Sequence, residues 1–255
     1  MMPEPHESTT PSTQIKPSVP RMERIGFALL LLIFTAFTWR GMLSFFTGDD
    51  VMNMYWAWTW DHKTLTLANL LVWVPMYRPL GETIYLAMYS LFGFQPAPLY
   101  VFCWLLLVAN VFAAYALFRS LFDEKFAALT AVALILVHGA YIDLYNSAGT
   151  IFDHLWFTFT VLGVAYYVRA RRGGVTFSIG QIVTLWLLCV LAMDSKESGV
   201  TLPVLFACYE ALFVLPRVWS ERNRWLRFIA PLYLLLTATS LAFVFGRVFR
   251  TQVLA

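Results

Sequence analysis

The chain is predicted to be an all-α polytopic membrane protein, with about seven transmembrane helices plus two interfacial helices in the first external loop. Three observations predict this. The 255 residues are 60% hydrophobic and only 13% charged, with mean hydropathy +0.66, whereas a soluble domain carries about 25% charged residues. Seven runs have the length or the apolarity of a bilayer span, which needs about 20 residues; they lie near 25–46, 97–119, 126–142, 149–169, 176–194, 198–215 and 228–248. Lys and Arg are concentrated in alternate connecting segments, as the positive-inside rule requires.

Taken in order, residues 1–20 are rich in Pro, Ser, Thr and Glu with almost nothing to bury. They read as a disordered cytoplasmic tail ahead of a membrane module at 21–255. A secretory signal is excluded, because the apolar run that follows is long and no small-residue cleavage site ends it. Stretch 47–96 carries too many charges to span. Within it, Asp50 to Trp60 is predicted to form a short helix capped by Asp49, and Pro79 to Phe92 a second one. The second has Pro in its first turn and Leu80, Ile84, Met88 and Leu91 on one face. Both are expected in the interface plane, with Trp and Tyr at headgroup level. Span 126–142 is short, and 198–215 carries Glu210, which is expected to meet an arginine of the 216–227 loop. Cys103, Cys189 and Cys208 fall inside apolar runs without metal-ligand spacing and read as small hydrophobes.

With the N-terminus inside, the inner segments hold Lys16, Arg21, Arg24, Arg119, Lys125, Arg169, Arg171, Arg172, Arg217, Arg222, Arg224 and Arg227. The outer ones hold Lys63, Arg78, Lys196, Arg247 and Arg250. That twelve-to-five bias places 47–96, 143–148 and 194–197 outside. In a bacterium this is the inner membrane with the loops in the periplasm; in a eukaryote, the endoplasmic reticulum. The net charge of +3 follows from this placement and implies no nucleic-acid partner.

The orientation gathers Asp49, Asp50, Asp61, Arg78, Glu82, Asp143, Asp153, His154, Asp194, Lys196 and Glu197 on one membrane face. Mixed charges at helix ends are where chemistry is placed in such proteins. The adjacent carboxylates of Asp49 and Asp50 come directly after the first span and before an aromatic-rich segment, so they are the catalytic candidates. A helix cap plus a solvated neighbour is the plain alternative. No phosphate-binding glycine loop, zinc motif or nucleophile elbow competes with them.

Several motifs in this order resemble a known family. They are Gly48-Asp49-Asp50; Tyr77-Arg78-Pro79-Leu80; Leu91-Phe92-Gly93-Phe94; Val137-His138 with Asn146-Ser147-Ala148-Gly149; and Asp194-Ser195-Lys196-Glu197-Ser198-Gly199-Val200-Thr201-Leu202-Pro203. Over about residues 25–215 the pattern resembles the glycosyltransferase-C superfamily. More closely it is similar to the transmembrane O-mannosyltransferases that carry tetratricopeptide repeats, and their bacterial relatives. The resemblance implies a glycosyltransferase-C-like module that uses a polyprenyl-phosphate-linked sugar outside the cytoplasm. Such a module is followed by further spans and often by a soluble repeat domain, so this chain is expected to be C-terminally truncated. Relatives often have His-Pro where this chain has His138-Gly139.

Transfer to a hydroxyl of a protein Ser or Thr, a glycan or a lipid requires a base for the acceptor proton. Asp49 is assigned that role, with Asp50 as its partner. The phosphate leaving group needs positive charge, for which Arg78 and Lys196 are candidates, with Arg40 near the outer end of the first span. Glu82, Glu197, His138 and Asn146 complete the expected substrate-binding set. Glu197 or Asp194 is expected to hold the Lys196 ammonium. Each has an ordinary alternative: an Arg78–Glu82 pair four residues apart on a helix, turn residues at 196–197, and a helix-end cap and interface anchor at Asp153 and His154. No organic cofactor is implied, and a divalent metal on the acid pair is left open. The second functional reading is a non-catalytic membrane subunit, or a protein that binds or transports a lipid carrier.

Overall fold

In the computed structural model, the described residues are 19–122, 124–138, 144, 147–173, 176–217 and 219–248. The expected 1–20 tail lies outside them up to residue 18, as do Asn146, Asp143 and Arg250. Among the described residues all regular structure is helical. The α-helices are α1 Val19–Thr38, α2 Gly48–Thr59, α3 His62–Leu70, α4 Pro79–Phe92, α5 Pro96–Leu121, α6 Lys125–Leu136, α7 Ile151–Gly173, α8 Ile179–Ser195, α9 Leu202–Tyr209 and α10 Arg222–Phe243.

Among the described residues, five helical segments are long and apolar enough to cross a membrane: Met22–Leu43, Pro96–Leu121, Ala148–Arg172, Glu197–Val214 and Trp225–Arg247. They identify an all-α chain with the character of an integral, multi-pass membrane protein. The other two expected spans are helical but shorter. Expected span 126–142 is the 12-residue α6, and 176–194 is the 17-residue α8. At 1.5 Å per residue these reach about 18 and 26 Å, against a hydrocarbon core of about 30 Å. The segment with Glu210 proves long enough, because α9 runs from a 3₁₀ turn at Glu197–Thr201 into a π-helical turn at Glu210–Val214.

Local chemistry sets the helix starts. α5 and α4 carry Pro in their first turns, where the missing N–H costs nothing. At α8, Ser178 and Gln181 form a capping box. The predicted cap of α2 is corrected: the helix starts at Gly48, and Thr47 rather than Asp49 is its cap. α3 was not expected; Asp61 caps it by accepting from the Thr64 amide at 3.0 Å.

Helix α7 is the central post, packed along α5 on one side and α8 on the other. Its small Gly163 lets Leu202 and Phe206 come close. Tyr167, Leu185, Cys189, Phe206 and Leu232 bury together along α7, α8, α9 and α10. α2 and α4 do not merely rest on the end of the bundle: Met54 and Tyr85 join Tyr100, Ile151 and Phe152 in a second core. In lipid such contacts hold by close packing rather than by expelling water. α1 leaves Ile25, Leu29, Leu32 and Phe37 exposed, an apolar face suited to a bilayer. Cys103 and Cys189 are buried as expected, whereas Cys208 is exposed.

The chain alternates between two ends of the bundle. The C-termini of α1 and α8, the N-termini of α5 and α7 and Arg247 after α10 gather with α2–α4 at the loop end. Glu23, Tyr115, Arg119 and Lys125 meet at the far end, as do Arg171, Glu210 and Trp225. The expected partner of Glu210 is corrected: Arg171 Nη2 reaches it at 3.0 Å, and the first turn of α10 contributes the Trp225 N–H at 2.9 Å. Buried Glu210 needs a buried cation, and α7 carries one at matching depth.

Candidate functional site

The acid pair divides into two different residues. Asp50 is fully buried. Its Oδ2 accepts from the Thr47 amide at 2.8 Å, the Thr47 hydroxyl at 2.9 Å and the Tyr100 hydroxyl at 2.9 Å. Thr47 accepts in return from the Asp50 amide at 3.3 Å, which closes the capping box. Asp50 Oδ1 is buried without a hydrogen-bond partner. Asp49, one residue earlier, is exposed. Segment 147–149 lies against both: a Cβ on Gly149 would sit 3.3 Å from Asp49 Cβ and 3.4 Å from Asp50 Oδ1. Tyr85 holds that segment by donating to the Ala148 carbonyl at 2.9 Å, and Asn53 Nδ2 lies 3.5 Å from the same phenol. Burial pushes the Tyr85 hydroxyl well above the usual phenol range.

Arg78 caps the start of α4 from the left-handed region, with φ 42° and ψ 56°. For a residue with a Cβ this costs about 1–3 kcal/mol. The surroundings over-determine it. The guanidinium lies 4.3 Å from the Tyr77 ring centroid and 5.2 Å from that of Phe152. It donates to Glu197 through Nε at 3.2 Å and Nη2 at 3.0 Å. The alternative of an Arg78–Glu82 pair is therefore corrected, because Arg78 reaches across the bundle. Gly81 allows Phe152 this position, since a Cβ there would be 2.2 Å from the ring.

Lys196 donates to Asp153, not to Asp194 or Glu197, which corrects the expected partner. Asp194 instead binds Arg247 Nη1 at 2.7 Å, and Arg247 Nη2 donates to the Ala68 carbonyl at 2.8 Å. Asp153 is thus an ion-pair partner and not only a helix-end residue. His154 is buried, with Nε2 3.1 Å from the Leu144 carbonyl and 3.3 Å from the Thr150 hydroxyl. Glu82 is 2% exposed and its Oε2 has no partner; burial pushes its carboxyl up to about 8, against the opposing Arg78 charge.

The first turns of α7 are where these groups converge. Residues 147–149 abut Asp49 and Asp50, Phe152 stacks with Arg78, and Asp153 holds Lys196. Beneath them a cavity of about 240 Å³ is lined by residues including Leu107, Val132 and Phe157, with Asn110, Asp153 and His154 as polar members. Arg40 is exposed in the 3₁₀ turn after α1, 5.9 Å from the Trp39 ring centroid. His138 is exposed just past α6, and Asn146 lies outside the described residues. Among those described, no group of three or more His, Cys, Asp or Glu is arranged to hold a metal ion.

Tyr100, Asn53 and Tyr85 were not anticipated. A tyrosine within one turn of the Pro96 helix start, level with the acid pair, was a usable signal for Tyr100. Comparison with protein-family models, curated proteins and solved structures finds no match.

Proposed function

We propose that this chain is a membrane glycosyltransferase module that moves a sugar from a polyprenyl-phosphate-linked donor to a hydroxyl acceptor, with inversion, on the external face. The observation that carries the reading is the convergence of an exposed carboxylate and two half-exposed cations on the first turns of α7. Asp49 stands beside a neighbour locked by three donors, so its position is rigid while its own carboxylate faces solvent. The acceptor oxygen bonds to the anomeric carbon as the bond from that carbon to the phosphate oxygen breaks. Asp49 takes the acceptor proton, and the phosphate leaves with the electron pair.

Arg78 and Lys196 are suited to that phosphate because their pairs are exchangeable. The side chains are 19% and 39% exposed in Arg78–Glu197 and 26% and 32% in Lys196–Asp153, against 5% and 1% in Arg247–Asp194. A phosphate offers both cations the same kind of charge-assisted bond that the carboxylates now supply. A second reading, carrier-lipid binding without transfer, is favoured by the apolar cavity below the same residues. Purified full-length protein in lipid nanodiscs, given a panel of polyprenyl-phosphate sugars, separates the two. Glycosylated product supports the transferase; donor binding with no product from any sugar supports the carrier-binding reading.

A further inference from the structure

Arg78 has two carboxylates to choose between, and it holds the distant one. Glu82 lies one turn along the same helix, where residues four apart are neighbours, and its amide donates to the Arg78 carbonyl at 3.2 Å. The guanidinium nevertheless grips Glu197, 119 positions away. The two acids differ in solvation: the Glu197 side chain is 39% exposed, whereas Glu82 is 2% exposed with an orphaned Oε2. A carboxylate in such a place gives up its charge. Neutral, it competes poorly for a guanidinium against a solvated carboxylate.

We propose that Glu82 is a proton-dependent positioning residue: uncharged, it leaves Arg78 clasped to Glu197, and ionised, it draws Arg78 onto itself and opens the clasp. The clasp ties the start of α4 to the 3₁₀ turn Glu197–Thr201 that leads into α9. Its opening releases one wall of the candidate site. Glu82 is the available sensor because the titratable groups on the elements packed against α4 are otherwise committed or exposed. On α2, Asp50 is held by Thr47 and Tyr100. On α3, His62 and Lys63 are exposed. On α5, Cys103 is buried in apolar surroundings. On α7, Asp153 holds Lys196, and His154 bonds to a carbonyl. On α8, Asp194 is taken by Arg247. The charge that bears on Glu82 is that of Arg78, and the carboxyl titrates near pH 8.

The test is hydrogen exchange of the whole chain in nanodiscs at about pH 6.5 and about pH 9.5, normalised to an unstructured peptide. The probe is segment 196–201, where the Gly199 amide donates to the Lys196 carbonyl at 2.8 Å. In wild type its protection is expected to fall roughly tenfold or more at the higher pH. Glu82→Gln, fixed neutral, is expected to stay protected at both, and Glu197→Gln to be open at both. Glu82→Leu serves in place of the glutamine variant if that variant does not fold. Equal protection of wild type at both pH values, or the same loss in the neutral variants as in wild type, overturns the proposal. The readout uses no substrate, so its outcome stands apart from the transferase reading.

Discussion

The two ends of the bundle handle their carboxylates differently. At the far end partly buried Glu23 and buried Glu210 are both met by positive charge. Glu23 lies 3.1 Å from Arg119 and 2.7 Å from Lys125, and Glu210 takes Arg171 together with the Tyr167 hydroxyl and the Trp225 N–H. At the loop end Asp194 is matched in the same way, by Arg247 at 2.7 Å, but Asp50 is held by neutral donors alone and Glu82 Oε2 by nothing, while Asp49 faces solvent. A charge matched in a dry site serves packing, because removing either partner strands the other. Burial without a matching cation pushes the Glu82 carboxyl up to about 8. The far end therefore has the character of a fastening, whereas the loop end mixes one such pair with carboxyls that no cation fastens.

The comparison is sharpened first by its largest effect. Glu210→Ala strands Arg171, whose side chain is 3% exposed, and is expected to cost about 3–5 kcal/mol. Thermal unfolding in detergent would show it, with Tyr167 and Trp225 also losing their acceptor. Stability close to wild type would mean that the far-end pair is not a fastening.

Of similar size over its full range is a pH effect at the loop end. Folding raises the Glu82 carboxyl from 4.5 to about 8, so the native state keeps a proton that the unfolded chain gives up. The associated stability is fully present below about pH 4.5 and is lost as pH climbs towards 8, by about 1.4 kcal/mol per pH unit. Glu82→Gln should flatten that slope in melting curves recorded across the interval. An unchanged slope would show that Glu82 is ionised in the fold.

The smallest expected effect on stability is at Lys196. Its pair with Asp153 is half-exposed, so Lys196→Ala should cost less than about 1 kcal/mol in melting. It should still weaken donor binding roughly tenfold or more, as loss of a charge-assisted bond does, with the acceptor constant little changed and Lys196→Arg partly tolerated. Equal or absent effects on donor and acceptor constants would remove the phosphate role.

How far the chain could be read in advance depended on the range of the interaction. Pro79 and Gly93 bracket α4, and the helix spans Pro79–Phe92 as expected, because caps act within one turn. α2 began two residues early because two acceptors stood in line, Thr47 and Asp49, and Thr47 with Asp50 makes the reciprocal box. Hydropathy marked the seven apolar runs but not that α6 stops at Leu136 or that α8 starts only at Ile179. The pairings of Arg78, Lys196 and Asp194 were not legible: each partner lies at least 43 positions away, and local spacing favoured Glu82 and the neighbouring acids. Asp50 and Asp49 looked alike in sequence; only packing by Tyr100 separates the buried one from the exposed one.

On the proposed reading, the exposed member of the acid pair is the base. The direct measurement is transfer from a polyprenyl-phosphate sugar by correctly inserted Asp49→Asn, beside its melting temperature. The amide keeps the shape but cannot take the proton, so turnover should fall by about 10²–10⁴ with melting unchanged. Wild-type turnover by Asp49→Asn would show that Asp49 is not the base.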